Sequence, residues 1–527
     1  MNTVCRPTLR ACIARAQGVI ALLGLSLAPS LHGASFELES ARWDTGKPAG
    51  GRSLALSSSG RFVVFTSSSP NIVSGDTNGV ADVFLRDRET GTTTRVSVSS
   101  SGAQANDESA DFYGVSVTPD GRYVSFFSFA SNLVPGDTNN QVDVFVRDTV
   151  AGTTERVSVS SAGVQGNDGS YQSYLSDDGR YVLFNSGASN LIASQSRAPT
   201  AYVRDRLTRT TRVVGLADPT SSCWAGGFSA NGAAAAFTCS NVDLYVRNLT
   251  DNSLEQVPYP HPAEVYIQVD DLSANGRYIA LSTDAQIVPS DTNGGPGWFD
   301  AYLYDRDTHT FEVISVNTKG VSADNASNAN AVSDDGRYVA FSSWARDIEG
   351  DDGGNSFDGF VRDRLTKRTV RVTASSFGAC CLEGVFALSG DGVTALFSSD
   401  GQFVAGDLNN LPDAYAATNL FATVASFTVR PRTVSFGTVT VGTTSAMQTV
   451  TITNTGGAGL AISWIGLAGT DATQFVRVRH CPATLAPGGQ CTATVAFAPT
   501  TAGAKTARLV VTGGGTRKSA ALAGTAQ

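Results

Sequence analysis

Three stretches of the sequence repeat the pattern Asp-x-Asn-x-x-x-Asp: Asp76, Asn78 and Asp82; Asp137, Asn139 and Asp143; and Asp407, Asn409 and Asp413. Asp291, Asn293 and Asp300 form a stretched fourth copy. Hard oxygen donors at the first and third positions of a loop match the opening of a calcium loop, and the calcium available outside cells suits weak sites of this kind. The bidentate Glu of a full calcium loop does not follow. The same residues nucleate Asx-turns without any metal, so turn formation and calcium ligation are both open readings. Other chemistry is sparse. No G-x-S-x-G elbow, H-E-x-x-H helix or phosphate loop occurs, and His261, His309 and His480 stand far apart. Asp is plentiful, and distant carboxylates could still be brought together for glycoside hydrolysis.

Cysteine is the second reactive residue. Cys223 and Cys239 stand equally far from Asn231, as directly opposed partners across a hairpin would, and Cys481 and Cys491 flank the turn Pro487, Gly488, Gly489 in the same way. Both are expected to form disulfides, the first closing a loop worth ~3 kcal/mol. Cys380 and Cys381 are adjacent and can form a vicinal bridge, a link to another chain, or free thiols. Paired C-x-x-C elements of a zinc site are absent from the sequence.

An oxidising compartment is consistent with the N-terminus. Arg6, Arg10 and Arg15 precede the apolar run Gly18 to Ala28, which is shorter than the ~18 to 20 residues of a bilayer span and reads as a secretory signal ending near Gly33 or Ala34. Its removal takes Cys5 and Cys12 with it, and shifts the formal net charge from -9 to -12, because the segment holds three arginines and no acid. That acidity excludes a phosphate-backbone binder, so no nucleic-acid partner is expected. No transmembrane segment is expected after signal removal, and the location reads as secreted, periplasmic or cell-surface.

The elements that must position these residues come from an internal repeat. Seven copies read LSSSGRFVVF, VTPDGRYVSF, LSDDGRYVLF, FSANGAAAAF, LSANGRYIAL, VSDDGRYVAF and LSGDGVTALF, centred on Gly60, Gly121, Gly179, Gly232, Gly276, Gly336 and Gly392. Spacings of 44 to 61 residues suit a four-stranded blade. A second hairpin motif follows six of them, as in DVFLRDRETGTTTRVSV (82–98) and DVFVRDTVAGTTERVSV (143–159). The seventh unit has DAYAATN (413–419) as its third strand and no fourth, so FELES (36–40) is expected to supply the missing strand and close the ring. Repeated Arg-Asp neighbours such as Arg86 with Asp87 and Arg147 with Asp148 are read as turn caps and interblade ion pairs, with a recognition stripe as the alternative.

S-x-D-G-R-Y-V-x-F followed by D-V-F-V-R-D resembles the TolB-type, WD-like propeller repeat across residues 35–421, with departures at the alanines after Gly232 and at Val393. Residues 422–527 carry short alternating runs such as TVSFGTVTVG and CTATVAFAPT, which suit a β-sandwich. Their order resembles the Hydin-type immunoglobulin-like domain also seen in bacterial choice-of-anchor proteins. The expected fold is therefore all-β: a signal peptide (1–34), a seven-bladed β-propeller closed by an N-terminal strand (35–421), and an immunoglobulin-like β-sandwich (422–527).

In such blades the first-to-second and third-to-fourth strand turns share one face. Those turns are tight here, whereas the connections on the opposite face are long, which marks that face as the working surface. The expected function is a non-catalytic scaffold engaging a protein or glycan there, with no certain cofactor. A glycan hydrolase and a calcium-stabilised surface structural protein are the alternatives.

Overall fold

The S-x-D-G-R-Y motif builds one turn with a job for each residue. The Thr118 hydroxyl donates to Asp120 Oδ1 (2.7 Å) and accepts the Tyr123 amide (3.0 Å), while Asp120 Oδ1 also accepts the Arg122 amide (3.0 Å). Gly121 sits at φ +71°, the left-handed region that costs a glycine little. Arg122 then reaches Asp148 at the end of the third strand (Nη2–Oδ2 2.9 Å) and lies 4.8 Å above the Tyr123 ring. Arg61–Asp87, Arg180–Asp205, Arg277–Asp305 and Arg337–Asp363 repeat the clasp.

The computed structural model describes residues 35–527, apart from 111–113, 193–198, 217, 219, 260–264, 294–296, 350–356, 374–383, 402, 405–406, 408, 410, 422–426, 455–458, 487–488 and 515. The signal segment, His261, Cys380, Cys381, Pro487 and Gly488 lie outside the described residues. The described residues form an all-β chain, with seven four-stranded antiparallel sheets arranged as propeller blades. Blade 1 runs Arg52–Leu56, Phe62–Ser67, Asp82–Asp87 and Thr92–Arg95. Blade 7 runs Gly384–Leu388, Thr394–Ser399 and Asp413–Thr418, and its outer strand is Ser35–Leu38. Phe36 pairs with Ala417 and Leu38 with Tyr415, so the N-terminal segment closes the ring as its sequence implied.

Within a blade the aromatic that ends the repeat pairs across to the aromatic of the next hairpin. Phe65 stacks on Phe84, Phe126 on Phe145, Phe341 on Phe360 and Phe397 on Tyr415, at centroid distances of 5.3 to 5.9 Å. Such pairs add ~0.5 to 1.5 kcal/mol each beyond their burial. Between blades, the motif's aromatic lies on the next blade's turn glycine: a Cβ on Gly179 would stand 2.2 Å from Tyr123, and one on Gly336 2.1 Å from Tyr278. Blade 4 has Ala234 in the aromatic's place, and the corresponding distance at Gly276 relaxes to 3.4 Å.

The sequential Arg-Asp neighbours do not pair with each other. Arg147 bonds to Gly152 O and Thr154 Oγ1 of its own turn and to Ser99 O of blade 1, while Asp148 caps the turn through the Val150 and Ala151 amides. The arginine that follows this Asp bridges blades: Arg88 to Glu37 and Glu39, Arg306 to Glu255 and Arg364 to Glu312.

The C-terminal segment forms a sandwich of two sheets around Val450, Ile452, Phe475, Phe497, Leu509 and Val511. One sheet orders Phe427–Arg430, Gln448–Asn454, Gln490–Phe497 and Phe475–Arg479; in the other, Thr433–Val439 lies parallel to Thr516–Ala526. Both expected disulfides are present. Cys223 and Cys239 are register partners with Cα atoms 4.1 Å apart, a closely spaced antiparallel pair. In blades 3 and 6 the same register position holds Ser170–Ser186 and Ser327–Ser343, each joined by a 2.8 Å hydroxyl bond. Blade 4 thus replaces a hydrogen bond with a covalent one.

Candidate functional site at the channel mouth

Six inner strands break register shortly before the turn: at Leu54, Gly226, Asp270, Asn330 and Phe386, and at Gln172 one position earlier in blade 3. A bulge leaves an extra residue unpaired and bends the strand. Repeated around the ring, the bulges line a central cavity of about 1160 Å³. Gln172 adopts φ +45°, uncommon for a residue with a Cβ, and its Oε1 accepts a bond from Asn185 (2.8 Å).

The two ends of the channel differ. At the tight-turn end, backbone bonds run from blade to blade: Asp177 N to Ala230 O (2.7 Å), Ala230 N to Ala274 O (2.9 Å), Asp334 N to Gly390 O (2.8 Å) and Gly390 N to Ser58 O (2.8 Å). Burial and then the Asp334 charge raise the Asp177 carboxyl at this end. At the long-loop end the inner strands begin with larger groups, Arg52, Tyr171, Trp224, Gln268 and Asn328, joined by Tyr266, all lining the cavity. Tyr171 packs edge-on to Phe127 and Tyr266 to Phe299. Trp43, Phe129, Trp298 and Trp344 stand exposed on the surrounding loops.

These loops are tied together. Gln104 accepts the Asn78 amide (3.1 Å) and donates to Gly75 O (2.8 Å), and Asn106 and Asn132 exchange bonds with the neighbouring loop; Asn167 and Asn190 repeat the exchange one blade on.

Deeper in the channel stand two consecutive carboxylates. Asp270 accepts from Gln268 Nε2 (2.8 Å) and Ser282 Oγ (2.5 Å), and Asp271 from the Leu272 and Val332 amides (2.8 and 2.9 Å). Burial pushes Asp270 up to about 8 and Asp271 up to about 7. Sequence reasoning missed this pair and the bulges. Counting back four to eight residues from each turn glycine would have found most of the channel lining, since every inner strand runs into that turn.

None of the twelve Asp and Asn residues of the repeated loop pattern lines the channel. They sit at the base of the long loops, where each last Asp begins a third strand. Asn78 bonds to Asp82 (2.8 Å), Asn139 to Asp143 (2.9 Å) and Asn409 to Asp413 (2.7 Å). Arg95 reaches both Asp76 and Asp82, and Arg156 reaches both Asp137 and Asp143. Tyrosine replaces that contact elsewhere: Tyr302 donates to Asp291 (2.6 Å) and Tyr415 to Asp407. Asn293 bonds to Ala323 O, and Asp300, raised to about 8 by burial and then the Asp291 charge, accepts from Ser315. Asn293 offsets that rise only in part. Of the histidines, His309 bonds Tyr304 at a tight turn and His480 lies in the sandwich, so neither reaches the channel. Among the described residues, no group of three His, Cys, Asp or Glu side chains forms a metal cluster, and no helix is long and apolar enough to cross a membrane.

Residues 421–521 match the ASH family model (Abnormal spindle-like microcephaly-associated, ASPM-SPD-2-Hydin). No curated protein matches the chain. Solved structures similar to it include an oligogalacturonate lyase from Vibrio parahaemolyticus (13% identity, 73% of this chain and 97% of that one, TM-score 0.45). TolB from Acinetobacter baumannii (16%, 61% and 63%, 0.35) and the Cps50 (Swd1) β-propeller domain from Myceliophteria thermophila (13%, 72% and 99%, 0.38) are also similar. The seven sheets of this chain, rather than these similarities, establish the propeller.

Proposed function

We propose that this chain is an exported, non-catalytic binding scaffold that takes a glycan at the long-loop mouth of its propeller channel, with the sandwich as a second adhesive or spacer module. The observation that carries this reading is the mouth itself. Tyr171, Trp224 and Tyr266 offer flat apolar faces for sugar C–H groups, and Gln268 and Asn328 place planar amides beside them. The belt of backbone bonds at the opposite end supports entry from the long-loop face. The two disulfides support export.

A glycan array probed with the wild type and with Trp224→Ala tests the proposal. Wild-type binding should fall at least tenfold in the variant, about 1.4 kcal/mol, with an unchanged melting temperature. Absence of any glycan ligand, alongside an envelope protein recovered by pull-down, would replace the glycan with a protein partner.

One observation favours a hydrolase as the second reading: Asp270 holds its proton near neutral pH, as a general acid must. Both its oxygens are engaged by Gln268 and Ser282, which favours the structural role. Release of reducing sugar that Asp270→Asn abolishes would establish the hydrolase.

A further inference from the structure

Blades 1 and 2 bury two carboxylates around one arginine. Arg95 lies 3.1 Å from Asp76 Oδ1 and 3.5 Å from Asp82 Oδ2, and Arg156 Nη1 lies 2.9 Å from Asp137 Oδ1 and 3.0 Å from Asp143 Oδ2. Blade 5 keeps this frame. Asn293 donates to Ala323 O (2.8 Å) as Asn139 does to Gly166 O (3.0 Å), and Ser315 donates to Asp300 Oδ1 (2.7 Å) as Ser158 does to Asp143 Oδ1 (2.5 Å).

What blade 5 lacks is the cation. Register pairs Phe145 with Arg156 in blade 2 and Tyr302 with Val313 in blade 5, so a valine stands in the arginine's place. Tyr302 satisfies Asp291 Oδ2, and among the described residues no cation takes the arginine's place. Asp291 Oδ1 and Asp300 Oδ2, the counterparts of the two oxygens that Arg156 joins, are buried without a hydrogen-bond partner among the described residues, and Asn293 Oδ1 is a third such atom. Asp291 is 2% exposed and Asp300 1%. Blade 7 also has an apolar residue, Leu38, opposite its tyrosine, but there Asn409 donates to Asp413 Oδ2 at 2.7 Å, a bond of which blade 5 keeps only a weak counterpart from Asn293 to Asp300.

We propose that blade 5 binds a hard divalent cation of the calcium class between Asp291 Oδ1 and Asp300 Oδ2, with water completing its shell. Carboxylate and water oxygens are the donors such ions prefer, and a double positive charge neutralises both carboxylates. The ion does for blade 5 what arginine does for blades 1 and 2, fixing the long loop to its blade.

The test uses the full chain, stripped with chelator and titrated with CaCl2 or MgCl2 in sodium chloride buffer by calorimetry and melting temperature. One saturable calcium ion per chain and a rise in melting temperature are expected. The double variant Val313→Arg with Tyr302→Phe rebuilds the arginine clasp; it should bind no calcium at this site and melt without calcium where the wild type melts with it. Asp300→Asn, checked for folding by circular dichroism, should also lose the binding heat. No saturable binding by the wild type up to about 10 mM of either ion, well above the range of weak extracellular sites, would overturn the proposal. So would binding that survives both changes.

Discussion

Gly336 does two things at once, and substitution can separate them. Its φ of +73° strains any side chain, and its missing Cβ leaves room for Tyr278 of the preceding blade. Gly276 has the same φ range, at +74°, but faces Ala234 at 3.4 Å. Gly276→Ala should therefore cost about 1 kcal/mol from backbone strain alone, and Gly336→Ala about 1 to 3 kcal/mol more from overpacking. Equal losses in denaturant unfolding would show that the interblade contact is unimportant. The buried carboxylates set the pH dependence. Asp270 and Asp271 hold protons in the folded chain that they would lose when unfolded, so stability should fall as pH rises from about 4 towards 8. Asp205 and Asp305, lowered to about 2 by Arg180 and Arg277, contribute stability above the usual carboxylate range that is lost as pH falls from about 4 to 2. Urea midpoints should therefore peak on the acid side of neutrality, and Asp270→Asn should shallow the decline between pH 5 and 8. An unchanged slope would contradict burial as its cause.

At the scale of elements, the N-terminal strand is the piece whose loss should matter most. Ser35–Leu38 pairs with the last blade, and Glu37 and Glu39 hold Arg88 of the first. Deleting residues 1–40 should leave blade 7 with three strands and an unpaired edge, lowering the melting temperature and promoting association visible by light scattering. A monomer of unchanged melting temperature would mean the ring tolerates being open. This strand was legible because the seventh repeat visibly lacked a fourth run. The bulges were not: a bulge at Asp270 or Asn330 leaves the spacing of the repeat intact, so the residues turned towards the channel look like ordinary strand positions.

At the scale of the molecule, the long-loop face was legible from loop lengths, because tight turns and long links alternate along the chain. The channel mouth was not, since Tyr171, Trp224 and Tyr266 come from three blades and share no motif. Removing the Cys223–Cys239 bridge should cost ~2 to 4 kcal/mol and leave glycan binding in place, because Trp224 lies beside the bond on an otherwise complete sheet. Loss of binding together with a retained melting temperature would instead tie the bridge to the mouth.

Local chemistry determined the repeat, the Asp-Gly turns, the ring closure and both disulfides, since each depends on residues close in sequence or on a count of strands. The Asp-x-Asn-x-x-x-Asp loops with which the sequence opened carried two readings, turn and metal site. Whether a buried carboxylate has a counter-ion depends on a residue across the sheet, Arg156 in one blade and Val313 in another. Each lies only eleven residues from its register partner, so its identity was legible; that it faces the loop carboxylates was not, because only the long loop folding back onto its blade brings Asp137 to Arg156 and Asp291 to Tyr302.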